Sequence, residues 1–204
     1  MYFNFTYFTI SLLIGAFTAI ISGFVVLNQD RKRHENQAWF ALTMCTAVWS
    51  SGYFYMTIAD SRDQGMLGNW VLHYAAIYIP LFYFVLVTLI TNKIDIYRKR
   101  IYLYSLFAFL FTIINLSTLF IKDVTPKVGF NYAPVPGPLY ILFFAYFVII
   151  VANGIYISLI TIRDTRLRRD KNRLIYTVIF TIAASIGGGS VFATTYFGNI
   201  PPYP

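Results

Sequence analysis

Residues 140–173 read YILFFAYFVIIVANGIYISLITIRDTRLRRDKNR. The first part of this stretch is an apolar run that is long enough to cross the hydrocarbon layer of a bilayer, which takes about 20 helical residues. The second part is a short connection rich in basic residues: Arg163, Arg166, Arg168, Arg169, Lys171 and Arg173. An apolar run that ends in a basic connection predicts a helix that crosses a membrane and stops at one of its faces.

Five further apolar runs of similar length occupy most of the chain. They predict an all-α membrane bundle with six transmembrane helices in one domain, residues 1–204. The helices are predicted near residues 6–27, 38–59, 70–91, 101–121, 138–161 and 173–197. The composition agrees, because 58% of the residues are hydrophobic and 12% are charged, against roughly 25% charged in a soluble domain.

Basic residues alternate from one connection to the next. The first, third and fifth connections hold three, four and six Lys or Arg, and the second and fourth hold one and two, which accounts for all 16 in the chain. Connections rich in Lys and Arg stay in the cytoplasm. The 13-to-3 distribution therefore predicts a multi-pass protein of the inner or plasma membrane, with both termini outside.

The net charge of +8 would suggest a nucleic-acid partner in a soluble protein. Here the basic residues flank apolar runs, where they set topology and contact anionic lipid. We therefore expect membrane lipid as a partner and no nucleic acid. Cys45 is the only cysteine, and we interpret it as a small apolar residue within a helix.

Side chains that carry chemistry are sparse. No phosphate-binding glycine loop, metal-spaced Cys/His cluster or Ser/His/Asp set is evident, and no lysine lies deep in a helix as a retinal pigment requires. We therefore expect no catalytic residues, no metal and no cofactor. Asn115 and Asn153 are the strongest polar groups within helices, and they indicate either hydrogen bonds between helices or a ligand contact.

Helix three holds the candidate ligand residues. His73 stands near its outer end, one turn above Tyr78, and Pro80 removes a backbone hydrogen bond there. A histidine inside a membrane helix is a candidate functional residue, although this one equally fits the wet interface. We expect a cavity in the outer half of the bundle, roughly 300–1,000 Å³ as ligand sites usually are. Its predicted lining is Trp49, Tyr53, His73, Tyr78, Pro80 and Tyr146.

Small residues recur in the first and sixth helices. Gly15, Ala19 and Gly23 follow one another at four-residue spacing, and Gly187, Gly188 and Gly189 form a triplet. Such residues let helix backbones approach closely, so both sets predict helix packing. A hinge at the triplet is the alternative.

Prolines concentrate in residues 122–138 and in the tail, residues 198–204. Both stretches fall at the predicted outer end of the bundle. They indicate either a lid over that end or ordinary loop structure.

A spaced pattern of Asn, Trp, Gly and Pro gives the chain a family resemblance. It comprises the stretches 36–42 (NQAWFAL), 49–53 (WSSGY), 78–83 (YIPLFY), 137–140 (GPLY) and 166–173 (RLRRDKNR). With these stretches the chain resembles the N-terminal seven-transmembrane sensory region of bacterial membrane histidine kinases, over most of residues 8–204. The resemblance implies a two-component signalling receptor, with a seventh helix and a cytoplasmic output domain that residues 1–204 do not contain.

Such a region would sense a small apolar or amphipathic ligand, or the state of the bilayer, and relay it to the output domain. It would not itself be an enzyme. A second copy of the chain is a further partner to consider. A small membrane transporter is the alternative function, although the two halves of the chain show no convincing repeat of the kind common in transporters.

Overall fold

The computed structural model describes residues 7–127, 130–165 and 167–197. This part of the chain contains six helices and a two-stranded antiparallel sheet. In chain order the elements are α1 (Tyr7–Gln29), α2 (His34–Ile58), α3 (Arg62–Ile90), α4 (Ile94–Ile114), β1 (Ile121–Lys127), β2 (Phe130–Pro136), α5 (Tyr140–Asp164) and α6 (Arg168–Tyr196). The fold is all-α apart from this one hairpin.

Four of the helices are long and apolar enough to cross a membrane. They are α1, α3, α5 and residues Asp170–Tyr196 of α6. α2 and α4 are not among them; α2 begins with the polar run His34–Gln37, and α4 carries Arg98, Lys99 and Arg100 in its first two turns. Hydropathy therefore supports four of the six predicted spans.

α3 lies at the centre of the bundle and packs against α2, α4 and α5. Small residues make the contact with α2 close: a Cβ added to Gly52 would stand 2.6 Å from the Cβ of Leu72, and one added to Gly68 would stand 2.9 Å from Cγ of Met56. α3 continues as one helix through Pro80. The largest cluster of buried side chains surrounds α3, with contributions from α4 and α5.

Turns at residues 115–120, followed by the hairpin, take the place of the end of the predicted fourth helix. α4 ends at Ile114, seven residues before the predicted end at residue 121. The Asn115 side chain donates to the backbone oxygen of Trp70 at 3.0 Å, which ties the end of α4 to α3. The chain then turns, and β1 pairs with β2 in a register that sets Val124 opposite Pro134.

Because successive helices reverse direction, the bundle has two distinct ends. The hairpin end contains the α2–α3 connection, the hairpin and the C-terminal end of α6. The basic end contains the connections α1–α2, α3–α4 and α5–α6. These connections and the helix turns beside them hold 13 of the 16 Lys and Arg.

The predicted packing residues behave differently in α1 and α6. A Cβ on Gly23 would stand 2.5 Å from Oγ1 of Thr43, while one on Gly15 would meet only Oγ of Ser50 at 3.8 Å; Ala19 is buried. Gly188 and Gly189, by contrast, have nothing within 4 Å of an added Cβ among the described residues. α6 runs through the triplet, Gly187 included, without interruption. Gly188 and Gly189 therefore show no close contact with the described residues, and the helix does not break at the triplet; the packing role of Gly187 stays a prediction.

Candidate functional site

His73 is enclosed at the hairpin end of α3. Its Nδ1 lies 3.0 Å from the backbone oxygen of Asn69, one turn earlier, and its Nε2 lies 3.1 Å from the hydroxyl of Tyr140. A backbone carbonyl only accepts, so Nδ1 carries the proton and donates to Asn69. In the neutral imidazole, Nε2 then accepts from the Tyr140 hydroxyl. Both ring nitrogens are thus engaged, and the wet-interface interpretation of this histidine does not hold because the side chain is buried.

Three aromatic rings fill the space around His73. The centroids of Phe120, Tyr140 and Phe143 lie 5.4, 5.5 and 6.1 Å from the imidazole, all in edge-to-face geometry. Such pairs add to the stability gained from burial. The surroundings of His73 are therefore packed side chains, and not the open cavity that the sequence suggested.

The hairpin covers this cluster from the end of the bundle. A Cβ on Gly65 would overlap the Cβ of Tyr132, so the backbone of α3 at Gly65 packs directly against the Tyr132 side chain of β2. Phe130 of β2 packs on Phe8 and Tyr53, with centroid distances of 5.3 and 5.7 Å. Asn131 donates to the backbone oxygen of Ala59 at 3.2 Å. Residues 122–138 were expected either as a lid or as ordinary loop structure, and the described part of them lies across the ends of α1, α2 and α3. The tail, residues 198–204, falls outside the described residues.

An ion pair ties the hairpin to the start of α3. The Arg62 guanidinium donates to the Asp123 carboxylate at 2.8 Å. The backbone N–H of Val124 and this guanidinium lower the pKa of Asp123. Both side chains are largely exposed, so the pair contributes little to stability and is easily opened.

A lysine ties the hairpin to the end of α6. The Lys127 ammonium donates to the backbone oxygens of Thr195 at 2.7 Å, Thr194 at 3.3 Å and Pro134 at 2.8 Å. Partial burial lowers the pKa of this ammonium. The backbone carbonyls offset the cost of burying the charged ammonium, since a cation beside the last turn of a helix interacts favourably with the helix dipole. Lys127 therefore joins the hairpin to α6 directly.

The six residues predicted to line one pocket are divided between different contacts. His73, Pro80 and Tyr146 are buried around α3, and Tyr146 donates to the backbone oxygen of Ile77 at 3.1 Å. Tyr78 is half-buried and accepts from Thr112 at 3.1 Å. The remaining two, Trp49 and Tyr53, pack against each other on α2 with centroids 5.0 Å apart.

A cavity with a volume of about 570 Å³ lies between α1 and α2. None of the six predicted residues contributes to it. Its lining consists of Tyr7, Ile10, Ser11, Ile14, Gly15, Thr18, Ala19, Ser22, Trp39 and Thr43. We call it the α1–α2 groove.

Four of the hydrogen-bond donors that line the groove are used within the protein. The hydroxyls of Ser11 and Thr18 donate to backbone oxygens of α1 at 2.7 Å, and Trp39 donates to Ser22 at 3.2 Å. Thr43 donates to its own helix. The groove therefore offers an occupant mostly apolar surface. The sequence signal for it was present, because Ser11, Gly15, Thr18 and Ser22 recur at helical spacing, but only the packing role of Gly15 was inferred.

Other residues of the site were not identified from the sequence as site residues. Phe120, Phe143 and Lys127 depend on the hairpin or on contacts distant in sequence, which no local pattern reveals. Of the two asparagines singled out, Asn115 joins α4 to α3, and Asn153 accepts from Arg100 at 3.0 Å. Among the described residues, no group of three or more His, Cys, Asp or Glu could hold a metal ion.

The chain matches the family model of the N-terminal 7TM region of histidine kinase over residues 10–204. Comparison with curated proteins and with solved structures gives no match.

Proposed function

The chain belongs to the family of N-terminal 7TM regions of histidine kinases, and on this basis we propose that it is a membrane sensor whose input reaches the cytoplasm through α6. The family is the sensory part of a signalling receptor and not a catalytic domain. The proposed input is a small apolar molecule dissolved in the bilayer, or the state of the bilayer itself. The proposed output is a cytoplasmic domain in the same signalling system.

The proposed orientation follows from charge. The basic end carries 13 of the 16 Lys and Arg, so it lies in the cytoplasm by the positive-inside rule. The hairpin end and the N-terminus then lie outside, and all six helices cross an inner or plasma membrane. α6 connects the two sides, since its last turn holds Lys127 and its first turn follows the basic α5–α6 connection.

The α1–α2 groove supports an apolar input. α1 is a candidate membrane span, and only 17% of its most apolar 18-residue stretch is buried within the protein. The groove therefore borders lipid. A helix rises 1.5 Å per residue, and the lining residues run from Tyr7 to Ser22, which corresponds to about 22 Å. This length suits a chain-like apolar molecule or a lipid tail, and filling the groove would alter the packing of α1 on α2.

The observation that carries the relay is the contact of Lys127 with the end of α6. A signal acts only through differential affinity for two arrangements of the protein. A hairpin fixed to α1, α2, α3 and α6 lets a change in helix packing at one side of the bundle move α6. Loss of the Lys127 contact should then uncouple α6 from the rest of the hairpin end.

The relay is tested by distance measurement between spin labels at the basic end. Labels replace Gln29 at the end of α1 and Lys171 at the start of α6, both exposed, in a Cys45→Ala background. We expect the distance distribution to shift between nanodiscs of thin and thick bilayers, and Lys127→Met to remove most of that shift. The matched control is Lys122→Met, which deletes the same charge from an exposed position of β1. The same distance distribution in thin and thick bilayers would contradict the proposed sensor. A shift in Lys127→Met as large as that of the unaltered protein would contradict the proposed relay.

A further inference from the structure

Asn69 occupies a distinct position beneath the hairpin. It lies on α3 one turn after Gly65, which touches Tyr132 of β2, and one turn before His73, which touches Phe120, Tyr140 and Phe143. Residues four apart share a helix face. The Asn69 side chain is therefore placed between the hairpin and the aromatic cluster.

The amide of Asn69 has no hydrogen-bond partner within the described part of the protein. The residue is fully buried, and neither Oδ1 nor Nδ2 is paired. Oδ1 of Asn115, whose Nδ2 bonds to the next residue of α3, Trp70, is also buried and unpaired. Buried polar groups in folded proteins are nearly always paired with protein or with ordered water. Asn69 lies on α3 and Asn115 at the end of α4, and the unpaired amide of Asn69 points to a molecule that pairs with it.

We propose that Asn69 is the centre of a sealed polar site that binds a small uncharged molecule with both a donor and an acceptor. The free amide presents Oδ1 as an acceptor and Nδ2 as a donor side by side, so the complementary group is a carboxamide edge or water. A charged ligand does not fit, because no Asp, Glu, Lys or Arg is among the buried residues of the described chain and an unpaired charge there would be strongly destabilised.

The hairpin controls access to this site. Entry of a molecule requires the hairpin to give up the surface ion pair of Arg62 with Asp123 and the hydrogen bond of Asn131 to Ala59. It also requires the loss of the Phe130 packing and the Lys127 hydrogen bonds. A molecule bound at Asn69 would lie between the aromatic cluster and the hairpin, and the same hairpin carries Lys127. This inference rests on the proposed function and adds to it a polar input from the outer side, separate from the apolar input at the α1–α2 groove.

The site is tested by NMR on the chain in nanodiscs with ¹⁵N-labelled asparagine. The Asn69 side-chain signal is assigned by its loss in Asn69→Leu, or in Asn69→Ser if the leucine variant fails to fold. The probes are water and formamide, the smallest carboxamide. The matched control is Asn153, whose Oδ1 and Nδ2 are both paired, to Arg100 and Ile149.

We expect a cross-peak between the Asn69 amide and a long-lived water, or a saturable formamide-dependent shift of Asn69 that Asn153 does not share. A water cross-peak without a formamide response identifies water as the occupant, and a saturable shift identifies a solute site. An Asn69 amide with neither signal would overturn the inference. The bilayer-dependent distance shift of the spin labels would be unaffected by that failure, so the two proposals fail separately.

Discussion

α3 and α1 are both long apolar helices, yet they occupy opposite environments. In the most apolar 18 residues of α1 the mean hydropathy is 2.4 and 17% of the stretch is buried. In the most apolar 18 residues of α3 the mean hydropathy is 1.8 and 61% of the stretch is buried. Lipid tails are as apolar as leucine, so hydropathy does not drive a helix to the centre of a membrane bundle. Small and hydrogen-bonding residues do, and α3 buries Gly65, Gly68 and His73.

The same contrast separates the glycines of the central contact from those of α6. We expect Gly52→Ala to destabilise the bundle by about 1–3 kcal/mol, as overpacking does, because the added Cβ would stand 2.9 Å from the backbone nitrogen of Leu72. Gly188→Ala should instead be neutral or stabilising by up to about 1 kcal/mol, since Ala favours a helix and nothing lies within 4 Å. Thermal unfolding in detergent measures both. Equal effects of the two substitutions would mean that α6 is as tightly packed as α2 and α3.

A smaller effect sharpens the comparison within the aromatic cluster. Tyr140→Phe removes the hydroxyl that donates to His73. It should lower the free energy of unfolding by about 1 kcal/mol, because it leaves a buried acceptor unpaired. The control is Tyr176→Phe on α6, where the ring is 57% exposed; it should change the unfolding temperature little. If the two variants unfold alike, the His73–Tyr140 hydrogen bond does not stabilise the hairpin end.

The helices and their order could be predicted from the sequence because each apolar run has membrane length and a charged or proline-rich border. The family could be recognised for a similar reason, since its Asn, Trp, Gly and Pro positions are local and spaced. The end of α4 could not be found in this way. Residues 115–121 (NLSTLFI) continue the apolar run, but Asn115 bonds to α3 and the chain turns into β1.

The ligand-lining role of the six residues stays a prediction. His73 could be singled out because a histidine in an apolar helix is conspicuous, and it is buried, as are Tyr146 and Tyr53. Their partners were not identified, because each contact joins residues distant in sequence. Phe143 reaches His73 through the packing of α5 on α3, Phe120 lies just before the hairpin, and Lys127 is part of the hairpin. Which side of a helix faces lipid and which faces protein depends on the neighbouring helices, and the weak amphipathicity of these helices hides it.

The most direct test of the account is the side of the membrane on which each end of the bundle lies. In a Cys45→Ala background, Lys122→Cys places a thiol on the hairpin and Lys171→Cys places one at the start of α6, both exposed. We expect a membrane-impermeant maleimide to label Lys122→Cys in intact cells, and to label Lys171→Cys only after the cells are permeabilised. Labelling of Lys171→Cys in intact cells with Lys122→Cys protected would contradict a sensor whose hairpin receives the signal outside and whose α6 delivers it to the cytoplasm.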